Sequence, residues 1–181
     1  PSGCDVFISD GGHAPSEPSA PGKGPHPPPH QPATPASAPL KTPAPSTGDD
    51  YTTPSSQVQE EILLNLLNQE RIAQGLSPLT LDAELSRIAR IKSADMRDNH
   101  YFAHESPTHG HVSDMLKTFG YSFSGAGENI AHHATTEKAH AAFMSSDGHR
   151  RNILSSAWQK VGLGIVYDAN GYVYVTQIFV R

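Results

Sequence analysis

The chain has 181 residues, with 16 prolines, 15 glycines and one cysteine, and 13 Lys and Arg against 18 Asp and Glu give a net charge of −5 at pH 7. This balance argues against a nucleic-acid partner, because proteins that bind DNA or RNA present clustered basic side chains. A single cysteine excludes a disulfide framework and a cysteine-based zinc cluster. No apolar run approaches the roughly 18–20 residues of a membrane-spanning helix, so we predict no transmembrane segment.

The prolines divide the chain into two parts. Fourteen of the 16 lie in residues 1–56, where large apolar side chains are scarce. Such a composition cannot bury enough surface to offset conformational entropy, so residues 1–56 are predicted to form a disordered, Pro-rich spacer. The three residues that end at Cys4 resemble the end of a bacterial lipobox, although Pro1 precedes them instead of Leu, which leaves a lipid anchor at Cys4 open. Residues 57–181 are predicted to form one domain.

The first part of this domain has helical periodicity. Apolar residues recur at a spacing of 3.6 from Val58, and Gly75 ends that helix. Asp82 is predicted to cap a second helix that ends near Asn99. Residues 101–112 contain a proline and a glycine and are predicted to be a loop.

Shorter elements follow this loop. Ser113 or Asp114 is predicted to cap a short helix that Gly120 closes. Residues 127–131 are predicted to form a strand, and Thr136 to start another helix.

The C-terminus carries the clearest strand pattern. Apolar residues alternate over residues 161–167, an Asn-Gly pair follows at 170–171, and residues 172–180 form a second apolar run. An Asn-Gly pair between two such runs predicts a β-hairpin. Three or four helices with a small antiparallel sheet predict an α+β fold.

Eight of the 11 histidines fall in the domain, at positions 100, 104, 109, 111, 132, 133, 140 and 149. A helical zinc-protease motif is excluded, because three residues separate Glu105 from His109 and Pro107 would break the helix. The pair at His132 and His133 is either a weak metal site or a solvated loop.

Glu128 is the best candidate for a functional carboxylate. It follows Gly-Ala-Gly and precedes Asn129, and a carboxylate beside small residues can be approached closely by another element. The alternative is that Glu128 caps a helix or a turn.

Several short motifs occur in a fixed order along residues 57–181. They are Asn68-x-x-Arg71, Gly75-Leu-x-Pro-Leu79, Asp82, Phe102-x-His104-x-Ser-Pro107, Gly127-Glu-Asn-Ile-Ala131, Ser146-Asp-Gly-His-Arg-x-Asn152-Ile-Leu154, Val161-Gly-x-Gly164 and Gln177-x-Phe179. Together they resemble a domain of the CAP superfamily (the cysteine-rich secretory, antigen 5 and pathogenesis-related-1 group), in its shorter bacterial SCP-like form.

The resemblance implies an α-β-α sandwich, with a three-stranded antiparallel sheet between helical layers. It also implies an extracellular or cell-envelope location and a cavity lined by histidines and acids. His104 resembles the first cavity histidine, Glu128 the glutamate of the family's Gly-Glu-Asn motif, and His149 the second cavity histidine. Some members of the family bind a divalent metal there, so the resemblance implies a zinc site on His104 and His149, with Glu128 as a further ligand.

The chain departs from the family pattern at one acidic position. The second cavity glutamate of the larger eukaryotic relatives should fall near Ser145 or Ser146, where this chain has none. Asp147 is the nearest acid, and whether it points into the cavity is left open. The loss of one carboxylate lowers the negative charge of the site and therefore its expected metal affinity.

These residues support three hypotheses of function. The favoured one is a monomeric extracellular module that binds a small molecule, a lipid or an envelope component, without enzyme activity. The alternative is a zinc-dependent hydrolase in which His104 and His149 bind the metal and Glu128 is a ligand or the general base. In the third, the same three residues form a polar cluster that fixes the loop at residues 101–112.

Overall fold

A computed structural model describes residues 51–181 and the backbone of Phe7–Ser9. The predicted spacer lies largely outside the described residues, and the predicted anchor at Cys4 lies wholly outside them. The described residues form five helices and five strands. Their bounds are β1 Phe7–Ser9, α1 Pro54–Ala73, β2 Thr80–Leu81, α2 Ala83–Asp98, α3 Val112–Thr118, β3 Ala126–His133, α4 Thr136–Ser145, α5 Asp147–Ile153, β4 Lys160–Tyr167 and β5 Val173–Val180.

The N-terminus of α1 lies three residues before the position where the sequence pattern changes. The helix begins at Pro54, and the side chain of Thr53 accepts a hydrogen bond from the backbone N–H of Ser56 at 3.0 Å. A cap of this type satisfies an N–H that has no partner within the helix, and proline suits the first helical position. Residues 54–56 therefore belong to the helix and not to the spacer.

The N-terminus of α2 agrees with the sequence-based prediction, and that of α3 does not. Asp82 caps α2 as predicted and accepts a hydrogen bond from Leu85 N at 3.0 Å. Helix α3 begins earlier than predicted, because His111 is its N-cap residue and Asp114 accepts a hydrogen bond from His111 N at 3.1 Å.

The strands form one sheet in the order β1-β3-β5-β4-β2. The three long strands, β3, β5 and β4, are antiparallel and form the predicted hairpin and its neighbour. Two short strands lie at the edges, β1 antiparallel to β3 and β2 parallel to β4. The α+β class and the antiparallel core are confirmed.

Helices cover both faces of the sheet. Helices α2 and α3 pack on one face, where Leu85, Ile88 and Met115 meet Ile178 and Val180 in one apolar cluster. Helices α1, α4 and α5 pack on the other face, in a second cluster of buried side chains. Its largest members include Leu63, Leu67, Phe143, Ile153, Trp158, Leu163 and Phe179. The two clusters make the domain an α-β-α sandwich.

Two glycines of β4 let α2 lie directly against the sheet. A Cβ atom on Gly162 would come within 2.4 Å of the backbone carbon of Leu85, and one on Gly164 within 2.1 Å of that of Ala89. Ser93 then donates a hydrogen bond to the carbonyl of Gly164 at 2.9 Å. This contact fixes the position of α2, from which the site described below is built. Within residues 51–181, no helix combines the length and the hydropathy needed to cross a membrane.

Candidate functional site

Two of the predicted site residues meet at the edge of the long antiparallel strands. Nδ1 of His104, in the loop after α2, lies 2.8 Å from Oε1 of Glu128 on β3. The two side chains are 10% and 1% exposed. Because Ala126 belongs to the cluster under α2 and α3, strand alternation directs Glu128 to that same face. We call these two residues the His104/Glu128 pair.

The outer atoms of the pair make no hydrogen bond to a described residue. Nε2 of His104 and Oε2 of Glu128 are both buried without such a partner. Burying a polar atom without a hydrogen bond costs free energy, and most buried polar atoms in proteins have a partner. These two atoms are therefore the ones that the pair offers to a ligand or to water.

Lys92 of α2 holds the backbone that carries His104. Its Nζ donates hydrogen bonds to the carbonyls of Ala103 and His104, both at 2.9 Å, and to the hydroxyl of Tyr101 at 3.2 Å. The Lys92 side chain is fully buried. The ammonium group has three N–H donors and all three are used, so the direction of the His104 backbone depends on this side chain.

The positive charge of Lys92 interacts with two nearby carboxylates. Burial lowers the pKa of Lys92, and the nearby charges of Glu128 and Asp95 act in the opposite direction. A buried ammonium is stabilised when carboxylates lie close to it, and they are stabilised by it in turn. The charges of Lys92, Glu128 and Asp95 therefore stabilise one another, and the site includes more than His104 and Glu128.

Asp95, one turn further along α2, fixes the rest of the loop. Its carboxylate accepts hydrogen bonds from Ser106 Oγ at 2.6 Å, from Asn99 Nδ2 at 2.7 Å and from the hydroxyl of Tyr101. Burial by itself would raise the pKa of Asp95, but the hydrogen bonds from Ser106, Tyr101 and Asn99 hold it below its ordinary value. The polar cluster that anchors the loop is thus formed by Lys92, Asp95, Tyr101 and Ser106.

Lys92 and Asp95 are not among the predicted site residues, although the sequence contains a signal for them. The buried face of α2 includes Leu85, Ile88 and Ala89, and the spacing of three and four residues continues to Lys92 and Asp95. Charged side chains in the apolar stripe of a helix are rarely buried unless they have partners. Two in succession indicate a buried polar site.

His149, the third predicted site residue, lies in the helical layer on the other side of β3. Its side chain is 2% exposed, and its ring packs edge-on against Phe143, with the ring centroids 5.1 Å apart. The carbonyl of His149 accepts a hydrogen bond from Asn129 Nδ2 at 3.2 Å. Asn129 follows Glu128 in β3, so the two side chains point to opposite faces.

A network of buried amides docks α5 onto β3. Asn152 Nδ2 donates to the carbonyl of Glu128 at 3.2 Å and to Asn129 Oδ1 at 3.0 Å. Asn129 Nδ2 also donates to Gln177 Oε1 at 3.0 Å. Trp158 Nε1 donates to the carbonyl of Asn152 at 3.0 Å. These contacts give the Gly-Glu-Asn and Asn-Ile-Leu motifs a shared structural role, which is to fix the backbone at Glu128.

Asp147 does not replace the missing cavity glutamate. Its side chain is 77% exposed, and its Oδ1 lies 2.5 Å from Arg150 Nη2 in the first turn of α5. An exposed pair three residues apart on a helix is a surface ion pair.

The described residues do not fit the predicted three-ligand zinc site. From residue 51 to the C-terminus, no group of three or more His, Cys, Asp or Glu side chains is arranged to hold a metal ion. Glu128 uses Oε1 for His104 Nδ1, and the ring of His149 packs on Phe143. The relation of Glu128 to His104 is instead that of a carboxylate that orients a histidine through its second nitrogen.

His132 and His133 each have other partners. His132 Nε2 lies 3.0 Å from Asp168 Oδ2, and its ring stacks on Tyr174 with the centroids 4.1 Å apart. His133 Nδ1 accepts a hydrogen bond from Ala134 N at 2.9 Å. The two rings therefore do not form a joint metal site.

The model of the CAP family, described as the cysteine-rich secretory protein family, matches residues 64–179. The chain belongs to this family. The uncharacterised protein YkwD of Bacillus subtilis is 45% identical over 141 residues, which are 76% of this chain and 54% of YkwD. The uncharacterised membrane protein YlbC of the same organism is 34% identical over 123 residues, which are 67% of this chain and 34% of YlbC. The chain thus spans about half the length of one relative and a third of the other.

Solved structures share the fold. An extracellular protein of Bacillus anthracis that contains an SCP domain is 34% identical, with a TM-score of 0.63, over 72% of this chain and 44% of that one. An outer surface protein of Borrelia burgdorferi is 16% identical, with a TM-score of 0.65, over 69% of this chain and 93% of that one. The second likeness shows the fold alone.

Proposed function

We propose that this CAP domain is an extracellular or cell-envelope binding module, and that its ligand forms hydrogen bonds with the His104/Glu128 pair. The observation that carries the proposal is the burial of His104 Nε2 and Glu128 Oε2 without a partner among the described residues. The neighbouring Lys92 and Asp95 contacts hold the pair in place before any ligand arrives, and such preorganisation lowers the entropy cost of binding.

The atoms of the pair restrict the chemistry of the ligand. An ionised carboxylate only accepts hydrogen bonds, so with Glu128 ionised the 2.8 Å contact places the proton on His104 Nδ1. A neutral ring then presents Nε2 as an acceptor on the side of the ring that faces away from Glu128, and Oε2 is a second acceptor on the carboxylate. The pair is therefore suited to a ligand that donates hydrogen bonds from separate positions, such as amino, amide or hydroxyl groups of one molecule.

The relatives support the location. The SCP-domain protein that is 34% identical is described as extracellular. A Pro-rich spacer ahead of α1 would hold such a domain away from a surface, with Cys4 as the candidate attachment point. A binding role also needs fewer groups than hydrolysis, which requires a positioned nucleophile or a metal-bound water in addition to the pair.

Zinc is a secondary proposal for the same atoms. Glu128 on Nδ1 would orient His104 so that Nε2 faces an ion. His149, the other predicted zinc ligand, lies in the helical layer on the other side of β3 with its ring against Phe143, so it does not supply a second ligand here. Protein zinc sites use three or four ligands, so we expect weak binding. Calorimetry with Zn²⁺ tests this: the heat should fall in His104→Ala and keep the wild-type value in His149→Ala, and equal heat in wild type and His104→Ala would refute zinc binding at His104.

The binding proposal is tested with a panel of small amines, amides and sugars, whose effect on melting temperature is measured for wild type, Glu128→Gln and His104→Gln. Compounds that raise the melting temperature of wild type should lose most of this effect in both variants. His140→Gln is the matched control, because His140 is also a buried histidine but lies on α4 beside Glu70. A panel without any effect specific to the pair would contradict the proposal.

A further inference from the structure

A second recess lies beside α3 and is built from none of the residues of the His104/Glu128 pair. It has a volume of about 430 Å³, which is within the range of small-molecule sites, roughly 300–1,000 Å³. Helix α3 forms one wall, and the segment that leads into β3 forms the other. Its lining includes Ser113, Lys117, Tyr121, Ser122 and Phe123.

The wall formed by the segment is held firmly. Tyr121 N donates to the carbonyl of Leu116 at 2.8 Å, and the Tyr121 hydroxyl donates to Asp82 Oδ2 at 3.0 Å. Burial and the bond to Asp82 raise the pKa of Tyr121 to about 12, so this hydroxyl remains a donor. At the other end, Ser124 N and Oγ both donate to the carbonyl of Arg181, at 2.9 and 3.0 Å. The recess is therefore formed before a ligand binds.

The polar groups of the recess are available to a ligand. Ser124 uses its hydroxyl for Arg181, but the hydroxyls of Ser113 and Ser122 make no hydrogen bond to a side chain or backbone atom in the described part of the chain. The Lys117 ammonium likewise has no ion pair or hydrogen bond with any residue from 51 to 181. Two hydroxyls and one cation thus face the same space.

The same recess has two aromatic walls. Tyr121 and Phe123 pack against the apolar cluster under α2 and α3, but neither ring is fully buried. An aromatic ring that is partly exposed beside hydroxyl groups suits a ligand with both an apolar face and polar edges. A simple inorganic anion would leave both rings without contact, and an alkyl chain would leave the hydroxyls and the ammonium without partners.

We propose that this recess binds a carboxylate-bearing sugar residue of a glycan. Lys117 pairs with the carboxylate, Ser113 and Ser122 hydrogen-bond to ring hydroxyls, and Tyr121 and Phe123 cover the apolar face of the sugar ring. The proposal is independent of the His104/Glu128 pair, because it uses different residues and a different part of the surface.

A matched pair of probes tests the need for the carboxylate. Trigalacturonic acid and its methyl ester share the same sugar rings, and esterification removes the charge of each carboxyl group by adding a methyl group. Binding of each is followed by NMR on the backbone amides of residues 113–125 of the full chain. The acid should shift these amides and bind about two- to fivefold more tightly than the ester, because an ion pair with an exposed lysine contributes modestly to affinity. Equal binding of both probes, or no binding of the acid at millimolar concentration, would overturn the proposal.

Variants locate the site. Lys117→Gln should weaken binding of the acid about two- to fivefold and remove its dependence on salt, and Phe123→Ser should weaken binding of acid and ester alike. Lys138→Gln, on the exposed face of α4, is the control and should bind as wild type does. Loss of binding in Glu128→Gln with normal binding in Lys117→Gln would place the sugar at the pair and refute the recess as its site.

Discussion

Lys92 donates a hydrogen bond from Nζ to the backbone carbonyl of His104 at 2.9 Å, and its ammonium is completely buried there. The backbone of His104 is thus held by the ammonium group of a residue on a different element, helix α2. A buried charge of this kind is costly unless its partners stay in place. The geometry of the pair therefore depends on Lys92 as much as on the pair itself.

Replacing Lys92 by Met should destabilise the domain and release the loop. The change leaves the carboxylates of Glu128 and Asp95 buried with less compensating charge, and loss of one partner of a buried pair costs about 3–5 kcal/mol. Urea unfolding measures the loss, and hydrogen exchange of the loop amides measures the release. As a control, Lys138→Met on the exposed face of α4 should change the free energy of unfolding by less than about 0.5 kcal/mol. An unchanged exchange pattern in Lys92→Met would show that Lys92 does not position His104.

Asp95 should make the domain sensitive to acid. Its pKa lies below the ordinary value of 3.8 in the folded state, so its contribution to stability is complete well above that value and is lost as the pH falls through the folded pKa. Asp95→Asn should be less stable than wild type at pH 6, and the difference should shrink towards pH 2.5. Urea unfolding at several pH values tests this, with Asp98→Asn as an exposed control. A difference that is constant with pH would contradict the assignment.

Gly164→Ala should separate α2 from the sheet. The added Cβ would lie 2.1 Å from the backbone carbon of Ala89, which cannot move without moving the helix. Overpacking of this kind costs about 1–3 kcal/mol or more, and we expect the affinity of any ligand of the pair to fall as well. Gly75→Ala is the comparison, because it meets no atom within 4 Å and strains only a φ of +72°. The comparison variant should therefore lose about 1–2 kcal/mol and keep ligand binding.

The N-terminal boundary is tested by two deletions. Removal of residues 1–50 should leave the melting temperature nearly unchanged, because it removes a Pro-rich segment and a single three-residue edge strand, β1. Removal of residues 1–56 should cost about 1 kcal/mol, since it also removes the Thr53 cap and the start of α1. A drop of several degrees in the shorter deletion would show that β1 stabilises the sheet through its pairing with β3.

The secondary structure was largely accessible from the sequence because it is encoded locally. Asp82 caps α2 as its position before an apolar stripe indicated, and the Asn-Gly pair lies in the hairpin between β4 and β5. Helix α5 was missed because it is short and follows α4 with only Ser146 between them. Edge strand β2 was not predicted, because a strand of two residues is too short to show the alternation of apolar and polar residues.

The candidate site was only partly accessible. The family motifs drew attention to His104 and Glu128, and the structure brings these two together. They also drew attention to His149 and Asp147, which the structure places against Phe143 and at the exposed start of α5. A motif shows which residues are typical of the family. Which of their side chains lie close together depends on the strand face and the helix direction from which each side chain projects.

The sequence by itself determined the class of fold and the family, and it predicts the division into a Pro-rich spacer and a domain, because composition, periodicity and ordered motifs are properties of the chain alone. Only the tertiary structure decided that Lys92 and Asp95 build the loop around His104, and that β3 directs Glu128 and Asn129 to opposite helical layers. These relationships depend on strand register and on helix packing across many intervening residues. Because Lys92 and Asp95 are buried, their charged groups must form hydrogen bonds within the domain, and these hydrogen bonds hold the loop that carries His104.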